Sequence, residues 1–503
     1  MKRKTVVCLL VLAALMVIMI FTGCIEEKGT TSMPTPTLMP TSTPPFLPSA
    51  TITPHVPSEP SLVRIEGHGT YSSIQEAIDS ARIGDTIQVV QGSYLENINI
   101  GTSKTFTLQG GWDSNFTSQS NDSSLTVIDG KGSGVVINIQ PKPAATINLT
   151  IEGFTIQNGN AYQGAGILVS SSGVNSHVSL TLNNNTITGN VASNRGGGIF
   201  IRSDKSSIDA TLTDNIISQN MANNEGGGIR VGSANGGSAA VTLVKNIIRN
   251  NTVTHSVEGE GGWDGGGVAA FASGSGNTTL SLKNNLITNN EAGFGGGVFA
   301  YAWGSDDAVV TTVLNNNIIA GNRAHYGAGI FSCSGTTCPA TQPGGLVTWM
   351  LTNNIITDNI ASQRVGGIHA YSGSTFGDGG TISLSMRNDI VWGNTDPQVT
   401  VEVEPRRSGV TTVKASYSDI GLVDARGGGT YTPDHVINKD PLFVDSANHV
   451  FFLQEDSPCI DSGDPSSTYN DGKRPPAKGT ERNDMGSFGG PTNVYYRNCI
   501  QKG

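Results

Sequence analysis

Short apolar runs, separated by polar and glycine-rich turns, fill the chain from about residue 146 to residue 400. One stretch contains three of them, at Ile199–Arg202, Ala210–Thr213 and Ile216–Ser218. None of these runs is long enough for a helix, and short apolar runs bounded by turn residues are typical of buried strands. The pattern therefore predicts a series of repeats with three short strands in each.

Two motifs mark the repeats. The first is a glycine run before an apolar strand, and successive runs begin at Gly164, Gly196, Gly226, Gly265, Gly295, Gly327 and, with valine in first place, Val365. The second motif is an asparagine directly before a short apolar run, as in Asn-Ile-Ile. It stands at Asn185, Asn215, Asn246, Asn285, Asn317, Asn354 and, as aspartate, Asp389. Successive asparagine positions are 30 to 39 residues apart, which is the length of one structural repeat.

Repeats of this kind predict an all-β fold, a single-stranded right-handed parallel β-helix solenoid. Consecutive coils stack at about 4.8 Å and pair their strands in parallel, so the core forms only between coils. The glycines admit turns with positive φ and close packing, and asparagines at matching turns predict a ladder of side-chain hydrogen bonds. The segment Ser73-Ile-Gln-Glu76 is a capping box and predicts a short N-terminal helix that covers the first coil.

The motifs carry a family resemblance. Tyr71-Ser-Ser-Ile-Gln-Glu-Ala-Ile, followed by Gly84-Asp-Thr-Ile-Gln-Val, resembles the opening of pectin-lyase-like right-handed β-helix proteins. The Gly-Gly-Gly-Ile and Asn-x-Ile repeats resemble those of polymorphic outer-membrane proteins, and the tail around Ser457-Pro-Cys-Ile-Asp461 is similar to the closing segment of exported β-helix proteins. The resemblance implies the fold and leaves the function open. The Trp-x-Asp-His and Arg-x-Pro-x-x-Arg patterns of pectate lyases are absent from the sequence.

The N-terminus predicts export. A basic start precedes an apolar run that ends at Phe21-Thr22-Gly23-Cys24, which resembles a lipoprotein signal-peptide box with Cys24 as the lipidated residue. An uncleaved membrane anchor is the alternative, and both readings place the rest of the chain outside the cytoplasmic membrane, at the cell surface. We predict a signal peptide at 1–24, a Thr/Ser/Pro-rich linker at 25–60, the cap and first coils at 61–145, the main coils at 146–400, and C-terminal coils with a capping tail at 401–503.

The composition of the chain limits the classes of partner that we expect the protein to bind. The 503 residues carry a formal net charge of −10, so the strong basicity expected of a nucleic-acid-binding surface is absent. An even number of cysteines beyond the leader predicts Cys333–Cys338 and Cys459–Cys499 disulfides in an exported protein, with free buried thiols as the alternative. The sequence predicts no cofactor. Calcium stays open because Glu258 and Glu260 lie in an insertion, but no metal site is assigned.

Stacking predicts columns of neighbouring side chains. Aligned on the glycine runs, the residue before each run is Gln163, Arg195, Glu225, Asp264, Phe294 and Tyr326 in successive coils. Glu225 and Asp264 are therefore expected about 5 Å apart, close to the separation of the carboxyl groups in a retaining glycosidase. They are the candidate catalytic residues, and Arg202 and Arg230 are candidates for binding an acidic sugar. A surface ion-pair column without catalytic function is the alternative.

A second column is aromatic. Along the strand after each glycine run, Ile201, Val231, Ala270, Ala300 and Ala370 are predicted to face the core. The alternate positions face outward, and the candidate binding residues there are Phe271, Phe299, Tyr301, Phe331, His369 and Tyr371. If these side chains are exposed, they form a platform for sugar rings or a protein partner. If loops from the insertions cover them, they form a small satellite core instead.

These expectations favour a lipid-anchored surface protein that binds an extracellular or envelope polysaccharide, or another surface protein, as an adhesin or envelope component without catalysis. A polysaccharide lyase or glycoside hydrolase acting on an acidic polysaccharide is the second hypothesis. A structural spacer with neither function is the third.

Overall fold

The computed structural model describes residues 62–254, 264–303, 307–335, 344–373, 379–404, 408–471 and 476–493, all within one compact unit. Three long sheets run the length of this unit, and in each of them strands from consecutive repeats are neighbours. From the pairing of Asp85–Val90 with Lys104–Trp112 onward, neighbouring strands of all three sheets are parallel. The predicted class, an all-β parallel β-helix, is confirmed.

The first sheet, here called the long sheet, has 14 strands, and its first pairs are antiparallel. Its strands are β1 (Val63–Ile65), β2 (Gly69–Tyr71), β3 (Asp85–Val90), β6 (Lys104–Trp112), β9 (Thr146–Glu152), β13 (His177–Asn183), β17 (Ser207–Thr213), β21 (Ser238–Val244), β25 (Asn277–Lys283), β28 (Val309–Asn315), β32 (Leu346–Thr352), β36 (Thr381–Arg387), β39 (Val410–Ser416) and β42 (Thr430–Asp434).

The second sheet, here called the short sheet, has 11 strands. They are β4 (Gly92–Tyr94), β7 (Thr126–Asp129), β10 (Thr155–Gln157), β14 (Thr186–Thr188), β18 (Ile216–Ser218), β22 (Ile247–Arg249), β26 (Leu286–Thr288), β29 (Ile318–Ala320), β33 (Ile355–Thr357), β37 (Ile390–Trp392) and β40 (Asp419–Ile420).

The third sheet contains the strands that follow the glycine runs, and it is here called the glycine-led sheet. Its 11 strands are β5 (Ile98–Ile100), β8 (Ile137–Ile139), β12 (Ile167–Ser171), β16 (Ile199–Asp204), β20 (Ile229–Ala234), β24 (Val268–Ser273), β27 (Val298–Trp303), β31 (Ile330–Gly335), β35 (Ile368–Ser372), β38 (Val399–Val403) and β41 (Val423–Arg426).

Short elements complete the described coils. Corner strands precede several glycine runs, two strands form a hairpin in the tail, and the helices are one α-helix and three 3₁₀ turns. They are β11 (Asn160–Gln163), β15 (Val191–Arg195), β19 (Met221–Ala222), β23 (Thr252–Val253), β30 (Arg323–Ala324), β34 (Ile360–Ala361), β43 (Phe443–Asp445), β44 (Val450–Leu453), α1 (Ile74–Ser80), η1 (Ser123–Leu125), η2 (Ser446–Asn448) and η3 (Ser467–Tyr469).

Two ladders of buried asparagines hold the turns of the short sheet. In the first, Asn215 donates its backbone N–H and its side-chain amide to Oδ1 of Asn246, both at 3.0 Å, and Asn246 repeats this toward Asn285. The same amide also donates to a backbone carbonyl of the preceding coil, so each asparagine satisfies buried groups on both sides. This ladder was predicted, and its members are Asn185, Asn215, Asn246, Asn285, Asn317, Asn354 and Asp389.

The second ladder was not predicted. It lies five residues further along every coil, at the other end of each short-sheet strand, and has the same hydrogen bonds. A residue with left-handed backbone conformation precedes the ladder residue at both turns, for example Asp214 and Gln219. The members are Asn190, Asn220, Asn251, Asn290, Asn322, Asn359 and Asn394, and the last of them donates to Gln398.

The third residue of each glycine run has to be glycine because coils approach closely there. A Cβ on Gly228 would lie 2.6 Å from the carbonyl oxygen of Gly267 and 3.0 Å from the amide nitrogen of Asn251 in the second ladder. Residues facing the interior pack into one core along the whole stack, as predicted for Ile201, Val231 and their equivalents Ala270, Ala300 and Ala370.

Helix α1 covers the N-terminal end. Ser73 accepts a hydrogen bond from the Glu76 amide at 3.1 Å, while the Glu76 carboxylate accepts from the backbone of Ser72, one residue earlier than in a capping box. The helix buries its apolar side against the first strands, and the predicted cap is confirmed. At the other end of the chain the tail packs on the outer face of the short sheet, where Phe451 and Phe488 contact Ile355 and its neighbours.

Candidate functional site

The outer face of the glycine-led sheet brings the predicted site residues together. Its first column contains Leu168, Phe200, Arg230, Ala269, Phe299, Phe331, His369, Thr400 and Asp424. Its second column contains Ser170, Arg202, Gly232, Phe271, Tyr301, Cys333, Tyr371, Glu402 and Arg426. A rim column beside them contains Gln163, Arg195, Glu225, Asp264, Phe294 and Tyr326. The predicted register is therefore confirmed.

At the N-terminal end of this face, Glu225 is held by arginines. Its Oε1 lies 3.1 Å from Nε of Arg195, and its Oε2 lies 3.2 Å from Nε of Arg230. Glu225 and Asp264 are paired on adjacent coils, as predicted. Because both carboxylate oxygens of Glu225 are in ion pairs, the contacts support the ion-pair-column interpretation over a role as acid or nucleophile.

The two arginines proposed to bind acidic sugars differ in accessibility. Arg230 is 9% exposed, and its guanidinium carbon lies 5.1 Å from the ring centroid of Phe200 and 4.7 Å from that of Phe271. The expectation that Arg230 faces a ligand is therefore wrong, because Glu225 and two aromatic rings already surround it. Arg202 remains accessible, with 41% of its side chain exposed beside Asp204.

The predicted aromatic column exists, but its inner members are not exposed. Phe271, Phe299, Phe331 and His369 are each 5% exposed or less, which corrects the expectation of an open platform. The three phenylalanines form an apolar cluster on the outside of the sheet with Phe294, Tyr301, Tyr326 and Tyr371, and the ring of His369 contacts Phe331 and Tyr371. These eight side chains are here called the aromatic row. The reason is mutual packing, since rings on adjacent coils are close enough to cover one another, as with Phe299 and Phe331 stacked at 5.8 Å.

The edges of the aromatic row are accessible. Tyr301, Tyr371, Phe294 and Tyr326 are half-buried, and Trp303 is 41% exposed. Phe294 and Tyr326 stack at 5.3 Å with an interplanar angle of 11°, and Phe294 also meets Phe331 edge-on at 5.0 Å. Burial raises the pKa of Tyr301 and Tyr371 well above the ordinary value, so both phenols stay protonated. The accessible surface therefore consists of ring edges and phenol groups on both sides of the buried rings.

A polar cluster continues the face toward the C-terminal end. Nε2 of His369 is 3.0 Å from Oε2 of Glu402, and Nη1 of Arg364 is 3.3 Å from both oxygens of the same carboxylate. The hydrogen bond from His369 holds the pKa of Glu402 below its usual range, while burial lowers the pKa of His369. The phenol of Tyr371 donates to Glu404 at 2.9 Å.

Sequence reasoning missed the members of this cluster other than His369 and Tyr371. Thr400, Glu402 and Arg426 occupy the same two columns, but the strands that carry them no longer follow a glycine run. The register of these last coils comes instead from the backbone pairing. Continuing the in-and-out alternation from Ala370 by one further coil for Thr400 and Glu402, and by two for Arg426, is the only sequence signal that leads to them.

Several predictions fall on residues that the structure does not describe. Cys333 and Cys459 lie within the described residues, but Cys338 and Cys499 do not, so both disulfide pairings stay predictions. Cys459 is buried, and its Sγ lies 3.2 Å from Oδ2 of Asp419. Glu258 and Glu260, the leader, Cys24 and the linker also lie outside. Within the described ranges, no group of three or more His, Cys, Asp or Glu side chains is arranged to hold a metal ion.

Comparisons with known proteins add little beyond this geometry. No family model matches the chain, and no curated protein matches it. Among solved structures, the chain is similar to a crystal structure of pectate lyase Pel9A, with 10% sequence identity, a TM-score of 0.30, and coverage of 83% of this chain and 90% of that one. Among the described residues, no helix is long and apolar enough to cross a membrane.

Proposed function

We propose that the protein is a lipid-anchored cell-surface protein that binds a polysaccharide along the outer face of its glycine-led sheet, without catalysing a reaction on it. The observation that carries this proposal is the aromatic row, whose accessible ring edges lie on both sides of its buried rings. Phe294 and Tyr326 are on one side, and Tyr301 and Tyr371 are on the other, with Trp303 two residues beyond Tyr301. Aromatic rings that are apolar on one side and carry a hydroxyl on the other suit sugar rings.

The buried part of the row supports binding by fixing the accessible part. The buried rings of Phe299 and Phe331 pack against the partly exposed aromatic side chains and restrict their rotamers. The exposed edges therefore lose little conformational freedom when a ligand binds. Coils repeat at about 4.8 Å, so the accessible rings, which lie on three successive coils from Phe294 to Tyr371, extend over about 10 Å. That length accommodates a short stretch of an extended sugar chain.

Catalysis is the second candidate and has one observation in its favour. Glu225 and Asp264 are neighbours on adjacent coils, as two carboxylates of a hydrolase would be. Against it, Arg195 and Arg230 occupy the oxygens of Glu225. Glu225→Gln therefore decides between the candidates, since a hydrolase loses its turnover while a binding protein has none to lose.

The proposal is tested on a glycan array with the soluble body, residues 61–503, together with reducing-sugar and lyase assays on every glycan that is retained. Retention without turnover is the expected result. Turnover that Glu225→Gln abolishes supports the enzyme, and the absence of both retention and turnover supports the structural spacer.

Trp303→Ala and Tyr326→Ala locate the binding surface. Each is expected to weaken binding of the retained glycan about tenfold, because one ring contact is lost. Tyr162→Ala is the matched control, since Tyr162 is 67% exposed on a corner strand several coils earlier. Equal affinity in all three variants would place the ligand elsewhere.

The proposed lipid anchor at Cys24 is tested separately. Cys24→Ser removes the thiol that a lipid would modify, so the protein should move from the membrane fraction to the soluble fraction of expressing cells. If Cys24→Ser stays with the membrane, the apolar leader is retained as the anchor instead.

A further inference from the structure

Three buried polar atoms at the C-terminal end of the aromatic row lack hydrogen-bond partners among the described residues. They are Nδ1 of His369, Oγ1 of Thr400 and Nε of Arg426. His369 pairs in register with Thr400, and Arg426 pairs with Glu402, so the three atoms lie on neighbouring coils of one face. Leaving such atoms unsatisfied is costly, and a molecule that bonds to all three from outside the chain would remove that cost.

The protonation of His369 specifies what that molecule must offer. The Glu402 carboxylate accepts hydrogen bonds from His369 and Arg364, so it is ionised and Nε2 of His369 carries the proton. In the neutral imidazole Nδ1 is then an acceptor and needs a donor. Nε of Arg426 is a donor and needs an acceptor, while the Thr400 hydroxyl serves as either. A hydroxyl group donates one bond, which Nδ1 of His369 accepts, and its two lone pairs accept two more, from Nε of Arg426 and from the Thr400 hydroxyl, so it meets all three needs.

We propose that His369, Thr400 and Arg426 form a binding site for a hydroxyl group of a neutral sugar unit, at the C-terminal end of the aromatic row. The inference rests on the proposed function and adds the class of sugar to it. An anionic unit is disfavoured because Glu402, Asp424 and Glu404 all stand on this part of the face. The ring of Tyr371, whose centroid is 6.0 Å from that of His369, supplies the apolar side of the site.

The test compares two variants with a matched control. Thr400→Val removes the hydroxyl and keeps the shape of the side chain, and His369→Gln retains an amide that reaches Glu402 but has no atom in place of Nδ1. Thr312→Val is the control, because Oγ1 of Thr312 is also buried without a partner but lies in strand β28 of the long sheet. Thermal unfolding shows whether each variant is folded.

The probes are cellohexaose and maltohexaose as neutral glycans, hexagalacturonate as the acidic one, and glycerol as a simple polyol, all measured by calorimetric titration. The native body is expected to bind a neutral hexasaccharide, and Thr400→Val and His369→Gln to bind it about tenfold more weakly, with Thr312→Val unchanged. Glycerol should bind no more than weakly, since it lacks the ring that contacts Tyr371.

The possible failures are distinguishable. If the native body binds none of the hexasaccharides but glycerol binds in a Thr400-dependent way, the site takes polyols and the sugar assignment is overturned. If a neutral hexasaccharide binds equally to Thr400→Val, His369→Gln and Thr312→Val, the polysaccharide-binding function stands and this site holds an internal water only. Tighter, Thr400-dependent binding of hexagalacturonate would overturn the neutral class. Binding of none of the four probes overturns this inference and counts against the proposed function as well.

Discussion

Asn354 donates its backbone N–H and its side-chain amide to the same carboxylate oxygen of Asp389, at 2.7 and 2.8 Å. Asp389 thus takes the place of a seventh asparagine in the first ladder. Unlike the asparagines, it brings an ionisable group into the interior, and burial raises the pKa of Asp389 to about 7. The ladder therefore contains one position whose fit depends on pH.

We predict that Asp389→Asn removes part of the pH dependence of stability. In the unfolded chain this carboxyl loses its proton near pH 4, but in the folded chain it keeps the proton until about pH 7. The free energy of unfolding therefore falls as pH rises between those values. Asp389→Asn should be more stable than the native chain by roughly 2–4 kcal/mol at pH 8 and about equal to it at pH 4.

Urea unfolding at pH 4, 6 and 8 measures this difference. Asp484 and Asp419, whose pKa values burial raises to about 7 and about 6, contribute slopes of the same sign in both proteins and cancel in the comparison. Parallel stability curves for the two proteins would show that Asp389 titrates normally.

Asn246→Ala is expected to destabilise the fold by roughly 2–4 kcal/mol, because it leaves buried groups of two adjacent coils without partners. The lost bonds include those from Asn215 and those to Asn285 and the carbonyl of Leu212. Asn235→Ala is the control, since that exposed asparagine bonds only to Asp204 among the contacts seen. Guanidinium unfolding of both variants checks the prediction, and similar losses in the two would contradict it.

Gly228→Ala should destabilise the stack by about 1–3 kcal/mol, because the added methyl meets the backbone of the next coil at 2.6 Å. The matched substitution is Gly69→Ala, where a Cβ has no neighbour within 4 Å and φ is not positive. We expect Gly69→Ala to change the free energy of unfolding by less than about 0.5 kcal/mol. Equal effects would mean that the close approach of the next coil does not restrict the residue at position 228.

Glu225→Gln is expected to cost about 2–4 kcal/mol of stability, because it leaves the guanidinium of the buried Arg230 without its counter-charge. Removing the charge of Arg230 as well, in a Glu225→Gln/Arg230→Met double variant, should recover much of that loss. A double-mutant cycle followed by thermal unfolding measures the coupling. Additive effects of the two substitutions would show that the pair is not an energetic unit.

How much of the fold could be predicted from the sequence depended on whether the residues that form each feature are close together in the chain. The Asn-x-Ile motif predicted the first ladder because asparagine and strand are adjacent in the chain. The second ladder has an equally regular signal, an asparagine five residues after the first as in Asn215 and Asn220, but the residues that follow it vary. The second ladder was missed because no regular apolar strand directly follows its asparagines. Such a strand was the signal that marked the asparagines of the first ladder.

The site shows the same division. Neighbours within a column, such as Glu225 beside Asp264, could be predicted from the sequence because consecutive repeats stack in register. The sequence did not reveal that Arg230 reaches back to Glu225 between two rings, nor that Phe299 is buried by the next coil. Those facts depend on rotamers and on side chains from other coils.

By itself, the sequence determined the class of fold, the stacking register and which side of each strand faces the core, because these follow from local periodicity and from turns that repeat. Only the tertiary structure decided which outward side chains remain accessible and which charges are paired. The physical reason is that exposure and pairing are properties of several coils at once, so the same outward position is open where its neighbours are small and closed where they are large.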